Sequence, residues 1–153
     1  MFHVKRSAMG PATMRPLLVP ELHCCDLDRS LAFYVDLLGF RILYARPEDR
    51  FAYLDRNGAE LMLQEYAPGA RMLAEAPFEQ PYGRGINFQV HVEDVGTLHA
   101  KVLNAGLEIS LPLEEAWYRR DDIELGCRQF IVQDPDGYLI RLQTDIGTRP
   151  VGA

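Results

Sequence analysis

Two stretches, Asp55-Arg56-Asn57-Gly58-Ala59-Glu60-Leu61-Met62-Leu63-Gln64 and Asp134-Pro135-Asp136-Gly137-Tyr138-Leu139-Ile140-Arg141-Leu142-Gln143, follow one plan. Each closes a polar turn with glycine and then alternates apolar and mixed residues. Asn-Gly and Asp-Gly supply the positive-φ positions of a tight hairpin turn, so the run after each is expected to be a returning antiparallel strand. A second echo lies upstream. Asp26-Leu27-Asp28-Arg29-Ser30-Leu31 through Leu38-Gly39-Phe40 matches Asp94-Val95-Gly96-Thr97-Leu98 through Ala105-Gly106-Leu107. Both read as an acidic helix start, an apolar helical stripe and a terminating glycine. Asp94 follows Asp26 by 68 positions and Gly137 follows Gly58 by 79, so the second copy carries about eleven extra residues in between. Repetition on this scale makes the chain two related modules, residues 16–66 and 84–145.

Each module predicts βαβββ. In the first, Leu17–Cys25 is a strand candidate that Pro20 marks as an edge or a strand start. Asp26 or Asp28 then caps a helix with Leu31, Tyr34, Val35 and Leu38 on one stripe. Phe40–Ala45, Phe51–Asp55 and Ala59–Glu65 follow as strands. The linker from Tyr66 to Tyr82 holds three prolines and one short helix candidate, Arg71–Ala76. In the second module Ile86–Val92 takes the place of Leu17–Cys25, a helix starts after Asp94, and Leu107–Leu111, Arg128–Gln133 and Tyr138–Gln143 complete the set. The extra residues fall at Pro112–Gly126. Trp117 and Tyr118, embedded there among charges, read as a lip over a site rather than as core.

The bulk properties fit a single domain, residues 16–146, between an extension at 1–15 and a tail at 147–153. A length of 153 residues with 48% hydrophobic and 25% charged content suits one globular core. No run approaches a membrane span, and the segment from Met1 to Met14 lacks the apolar core of a secretory signal, so 1–15 is expected to be flexible. Three cysteines and no signal favour reduced thiols and a cytoplasmic protein. A net charge of −6 argues against nucleic acid as a partner and is compatible with a cationic ligand.

Strand alternation sorts the chemistry. Leu18, Leu22 and Cys24, Leu61 and Leu63, Phe88 and Val90, and Ile140 and Leu142 share an apolar face expected under the helices. The opposite face carries Glu21, His23, Glu60, Met62 and Gln64 in the first module. In the second it carries Asn87, Gln89, His91, Arg141 and Gln143. Any one of these residues fits a solvated sheet surface. Their recurrence in both modules suggests instead that two curved sheets enclose a polar cleft, which is what a small-molecule site needs. The fold class is therefore α+β, two βαβββ modules forming curved mixed sheets around a cleft.

The paired modules, Asp26-Leu27-Asp28-Arg29-Ser30-Leu31-Ala32-Phe33-Tyr34, Leu38-Gly39-Phe40 and Asp134-Pro135-Asp136-Gly137-Tyr138 resemble the vicinal oxygen chelate superfamily. That group includes glyoxalase I, extradiol dioxygenases, fosfomycin-resistance enzymes and bleomycin-resistance proteins. Val19-Pro20-Glu21-Leu22, Arg128 through Gly137 and the Trp117-Tyr118-Arg119 insertion resemble the bleomycin-resistance branch most. Metal-using members place ligands on the first and last strands of each module. On this chain those positions are Val19, Met62, Asn87 and Arg141. An aliphatic, a thioether and a guanidinium are unsuited to a divalent ion, so no metal or other cofactor is expected. A displaced set of Glu21, His23 and His91 on the cleft face is the alternative, and Cys25 beside His23 is a further candidate nucleophile.

Three functions remain open at this point. One is a metal-free, non-catalytic homodimer that sequesters a drug-like or cationic, partly aromatic ligand. The resemblance implies a cleft completed by a second subunit, with Trp117 and Tyr118 stacking on the ligand and Glu21 and Glu60 meeting positive charge. Arg141 is expected to pair with Glu21 or Glu60 across that cleft. Another is a glyoxalase- or dioxygenase-like enzyme using His23 or His91 as acid or base on a small metabolite. A third is a protein of the same fold whose ligand is neither.

Overall fold

The computed structural model describes residues 16–73 and 78–153. The extension at 1–15 and the second half of the short helix expected at 71–76 lie outside the described residues, and Arg71 to Leu73 are not helical. The first module runs β1 (Glu21–Cys24), α1 (Leu27–Leu31, continuing as a π-helix over Ala32–Leu37), β2 (Arg41–Arg46), a 3-10 turn (Pro47–Asp49), β3 (Phe51–Arg56) and β4 (Ala59–Glu65). The second runs β5 (Asn87–His91), α2 (Val95–Asn104), β6 (Ile109–Arg120), β7 (Ile123–Gln133) and β8 (Leu139–Pro150). The two sheets share one permutation, β1-β4-β3-β2 and β5-β8-β7-β6, with the first strand parallel to the last. This is the expected α+β pair of βαβββ modules.

Local chemistry explains the boundaries. Pro20 has no N–H to donate, so the ladder starts at Glu21, although the Pro20 carbonyl still accepts from Met62 N at 2.9 Å. Leu17 and Leu18 are correspondingly exposed at 85% and 84%, which removes Leu18 from the apolar face expected of it. Asp26, not Asp28, caps α1, its side chain accepting from Asp28 N and Arg29 N. The π-helical register, with Leu38 N donating to Phe33 O at 3.0 Å, turns the adjacent Phe33 and Tyr34 both inward. Gly39, at φ +86°, then lets Phe40 N reach Tyr34 O at 2.9 Å and ends the helix. Leu22, Cys24, Leu61, Leu63, Val90, Ile140 and Leu142 are buried in one core spanning both modules, with Phe88 packed at its margin.

The Pro112–Gly126 insertion is a hairpin, not a loop lip. Glu114 to Arg120 pair in continuous register with Gln129 to Ile123, around a turn in which Asp121 takes a positive φ of 59°. The ladder is irregular only near Pro112, which lacks a donor. Strand β8 runs past Gln143 to Pro150, with Glu124 opposite Arg149, so the first part of the expected 147–153 tail is a strand lining this arm.

The glycine turns join the modules reciprocally. The second-module turn reaches back to the start of α1. Tyr34 Oη donates to Asp134 Oδ2 at 2.7 Å, and Cys25 N donates to Asp136 Oδ1 at 3.1 Å. The first-module turn reaches forward to the residue before the α2 cap. Asn57 Nδ2 donates to Glu93 Oε1 at 2.9 Å, while Arg56 Nη1 lies 3.9 Å from Glu93 Oε2 and Arg56 Nε holds Leu38 O. The quoted stretches therefore do more than turn the chain, since each docks its module onto the other.

Candidate functional site

The polar faces form two pockets, each walled by one module. The first, about 230 Å³, is lined by Glu21, His23, Gln64, Glu65 and residues 67–71. The second, about 380 Å³, is lined by Gln89, His91, Tyr118, Leu125, Gly126, Cys127, Arg141, Gln143 and Asp145. The second falls within the range of small-molecule sites. Sheet register builds both. Glu21 pairs with Met62 and His23 with Gln64, while Gln89 pairs with Arg141 and His91 with Gln143.

In the first pocket, His23 is buried and meets Phe78 edge-on at 6.4 Å between ring centroids. Its backbone carbonyl accepts from Tyr138 Oη at 2.9 Å, tying β1 to the second module. Glu60 is buried and accepts from Tyr53 Oη at 2.6 Å; neither it nor Met62 belongs to that pocket's lining. Cys25 departs from the expected geometry. β1 ends at Cys24, so the i, i+2 relation to His23 is broken. The Cys25 thiol lies instead 2.9 Å from Tyr82 Oη and 3.6 Å from Gln80 Nε2. Burial, then contact with that thiol, raises the pKa of the Tyr82 hydroxyl, which therefore stays protonated and is no base for a nucleophile.

In the second pocket, Gln129 organises the wall. It is 1% exposed, and Nε2 donates to Glu114 Oε2 at 2.8 Å and to Tyr118 Oη at 2.7 Å. Its Oε1 thereby faces Arg141 Nη1 at 3.4 Å and Cys127 Sγ at 3.6 Å. His91 Nε2 lies 3.1 Å from Gln89 Nε2, and His91 Nδ1 lies 3.7 Å from Asp145 Oδ1. Burial raises the pKa of the Cys127 thiol, against the opposing pull of Arg141, which keeps it protonated and unreactive.

Several expectations change here. Trp117 stands on the opposite face of the sheet from the pocket. It packs over Gly126, where a Cβ would come within 2.6 Å of its ring, and beneath the Arg149 guanidinium at 4.1 Å. Alternation along β6 leaves Tyr118, half exposed, as the pocket's aromatic. Arg141 pairs with neither Glu21 nor Glu60, because the two pockets belong to different modules. Asn87 is exposed in β5 and outside the second pocket's lining. Gln129, Leu125 and Asp145 were missed. Gln129 was legible, since Phe130 and Val132 as core residues put Gln129 and Ile131 on the polar side of β7. Leu125 and Asp145 lie in strand extensions whose mixed composition hid them.

The residues present do not fit the metal of metal-using relatives. Val19, Met62, Asn87 and Arg141 offer an aliphatic chain, a thioether, an amide and a cation, and a guanidinium repels a divalent ion from the place where a carboxylate should bind it. The displaced set is not assembled either. Glu21 and His23 line one pocket and His91 the other. No group of three or more His, Cys, Asp or Glu able to hold a metal ion occurs among the described residues. Among those residues, too, no helix is long and apolar enough to cross a membrane.

The family model described as Glyoxalase/Bleomycin resistance protein/Dioxygenase superfamily matches residues 17–142. A member of that superfamily from Vibrio splendidus 12B01 is 39% identical over 84% of this chain and 97% of its own, with a TM-score of 0.39. TioX from Micromonospora sp. ML1 is 26% identical over 86% of this chain and 100% of its own, with a TM-score of 0.61. Virulence protein STM3117 from Salmonella typhimurium is 16% identical over 87% and 98%, with a TM-score of 0.65, a likeness of fold alone. No curated protein matches the chain.

Proposed function

We propose that this chain, which belongs to the glyoxalase/bleomycin resistance protein/dioxygenase superfamily, is a metal-free binding protein that sequesters a drug-like, partly aromatic small molecule. The observation that carries this reading is the pair of half-sites. Each polar pocket is walled by a single module, one bearing Glu21 and His23 and the other Tyr118 and Arg141. A second copy laid across the chain would oppose the two kinds of half-site and close a cleft around a ligand. Proteins of this superfamily are often dimers, and an isologous twofold pair would form two such clefts. A cytoplasmic homodimer of this kind would confer resistance to a bleomycin-type drug by lowering its free concentration.

A second reading, a small-metabolite enzyme, draws on one observation. His91 is flanked by Gln89 and Asp145 in an open pocket, an arrangement that orients an imidazole for proton transfer. A thermal-shift screen separates the two readings, using bleomycin-type drugs, divalent metals and dicarbonyl metabolites, with sedimentation velocity alongside. Sequestration predicts a dimer at micromolar concentration and stabilisation by a drug, about 2.7 kcal/mol at a hundredfold excess over Kd. A monomer that turns over a dicarbonyl substrate would refute it.

A further inference from the structure

From the donors left open in the second pocket, we infer that it is an oxyanion site in which Arg141 receives a carboxylate borne on a planar ligand group. The inference deepens the binding-protein reading and rests on it, by naming the chemical class that the second-module half of the cleft selects.

Arg141 lacks an acidic partner among the described residues. Several arginines of the two modules are paired, Arg41 with Asp55, Arg50 with Glu65 and Arg149 with Glu124. Arg119, Arg120 and Arg128 have no ion pair among the described residues but lie outside the pocket. Among the described residues Arg141 has no ion pair. Its one hydrogen bond, Nη1 to Gln129 Oε1, is long at 3.4 Å. Nε is buried with no acceptor. A guanidinium presents five donors in a planar fork suited to two parallel bonds from a carboxylate. A buried Nε without an acceptor is unfavourable, and the Nη donors not held by Gln129 are available to a ligand or to water.

The two acids beside the pocket each bond another group through one oxygen, and neither forms an ion pair with Arg141. Glu114 Oε2 accepts from Gln129 Nε2, and Asp145 Oδ1 lies against Gln143 Nε2 at 3.5 Å and His91 Nδ1 at 3.7 Å. Gln129 is pinned by its two acceptors, so its carbonyl end stays turned to Arg141 and fixes the fork. Tyr118 Oη already accepts from Gln129 Nε2, which leaves its own hydroxyl hydrogen free to donate to the same ligand. Leu125 and Gly126 provide an apolar bed beside the Tyr118 ring. A cation, two further donors in Tyr118 and Gln89, and a flat apolar bed match an aromatic carboxylate. The first module has Met62 at the same place, four residues past its turn glycine, so the anion preference belongs to the second half-site only.

The test is a titration of the full chain followed by the arginine Nε–Hε resonances in a ¹⁵N correlation spectrum, the Arg141 peak being the one lost in Arg141→Met. Benzoate, benzamide, inorganic sulfate and inorganic phosphate are compared. The expected result is benzoate binding at least tenfold tighter than benzamide, with the Arg141 peak moving. That ratio should collapse to below twofold in Arg141→Met, with benzoate losing more affinity than benzamide, and be partly restored in Arg141→Lys. Equal binding of benzoate and benzamide, or a preference that survives in Arg141→Met, overturns the inference. Sulfate or phosphate binding tighter than benzoate overturns the carboxylate assignment, because the site would then take a free inorganic anion. Should Arg141→Met lose its fold, Arg141→Lys and the wild-type peak shifts decide the matter. If the drug screen finds no binder while benzoate is still preferred, the sequestration reading fails and the oxyanion site stands. A drug bound with no preference for acid over amide analogues leaves the reverse.

Discussion

Tyr34→Phe removes one oxygen from the centre of the molecule and nothing else. Tyr34 is fully buried, and its hydroxyl donates to Asp134 Oδ2 at 2.7 Å across 100 residues of chain, joining α1 to the turn that carries the second module. Burial, then the Asp134 charge, raises the Tyr34 pKa well above its ordinary value, so it remains a donor at any ordinary pH. Asp134 keeps its bonds from Asp136 N and Tyr138 N, both at 2.9 Å and both to Oδ1. The substitution therefore strips one carboxylate oxygen only. A bond to a charged acceptor contributes about 1.5–3 kcal/mol, and Phe fills nearly the same volume, so the loss should be about 2 kcal/mol. At an m-value of about 2 kcal/mol/M the urea midpoint should fall by about 1 M. Burial raises the Asp134 pKa, while the Tyr34 bond pulls it down. A carboxyl raised in the folded state contributes stability that is full below its unfolded value and is lost as pH rises through the folded one. Removing Tyr34 raises Asp134 further, so the gap between variant and wild type should widen as pH rises above the ordinary aspartate range. A loss under about 0.5 kcal/mol, or a gap independent of pH, would refute the claim that this bond locks the modules together.

Two further substitutions test the site and the helix start. Tyr118→Ala should weaken a planar ligand by about 1–3 kcal/mol, whereas Trp117→Ala should leave affinity within about threefold while lowering the melting temperature. The reverse pattern would mean that the ligand lies on the other face of the hairpin. Asp94→Ala removes the α2 cap, which accepts from Thr97 N at 3.1 Å and Thr97 Oγ1 at 2.8 Å. Those bonds hold the Asp94 pKa below its ordinary value, so its stabilisation is present above the unfolded value and lost as pH falls through the folded one. The difference in urea midpoint between wild type and variant at pH 7 should accordingly shrink as the pH is lowered into the range where Asp94 protonates.

The fold was legible because period-2 alternation and glycine turns are local signals. Leu61 and Leu63, or Ile140 and Leu142, declare a face without reference to anything distant. What was not legible depends on the third dimension. Trp117 and Tyr118 are neighbours in sequence, and only the register Trp117↔Gly126 and Tyr118↔Leu125 shows which of them meets the pocket. The hairpin itself was hidden because Glu114 to Arg120 carry little apolar alternation, and Asp121-Asp122 is a weaker turn signal than Asn-Gly. Arg141 does not pair with Glu21 or Glu60 within one chain, because sharing a face in two modules does not bring two side chains together.

The two halves show how a repeated module acquires a site. The reciprocal docking through Asp134 and Asp136 on one side, and Asn57 and Arg56 on the other, uses both turns and keeps the pseudo-symmetry. The pockets do not keep it. Position four past the turn glycine is Met62 in one half and Arg141 in the other, and only the second half carries the long hairpin that brings Tyr118 over the sheet. Symmetry persists where both copies must dock, and is broken where a ligand would be recognised. A ligand spanning a closed cleft would then meet carboxylate and imidazole on one wall and guanidinium and phenol on the other. On the proposed dimer, two unlike walls of this kind would favour a molecule with opposite charges at its two ends.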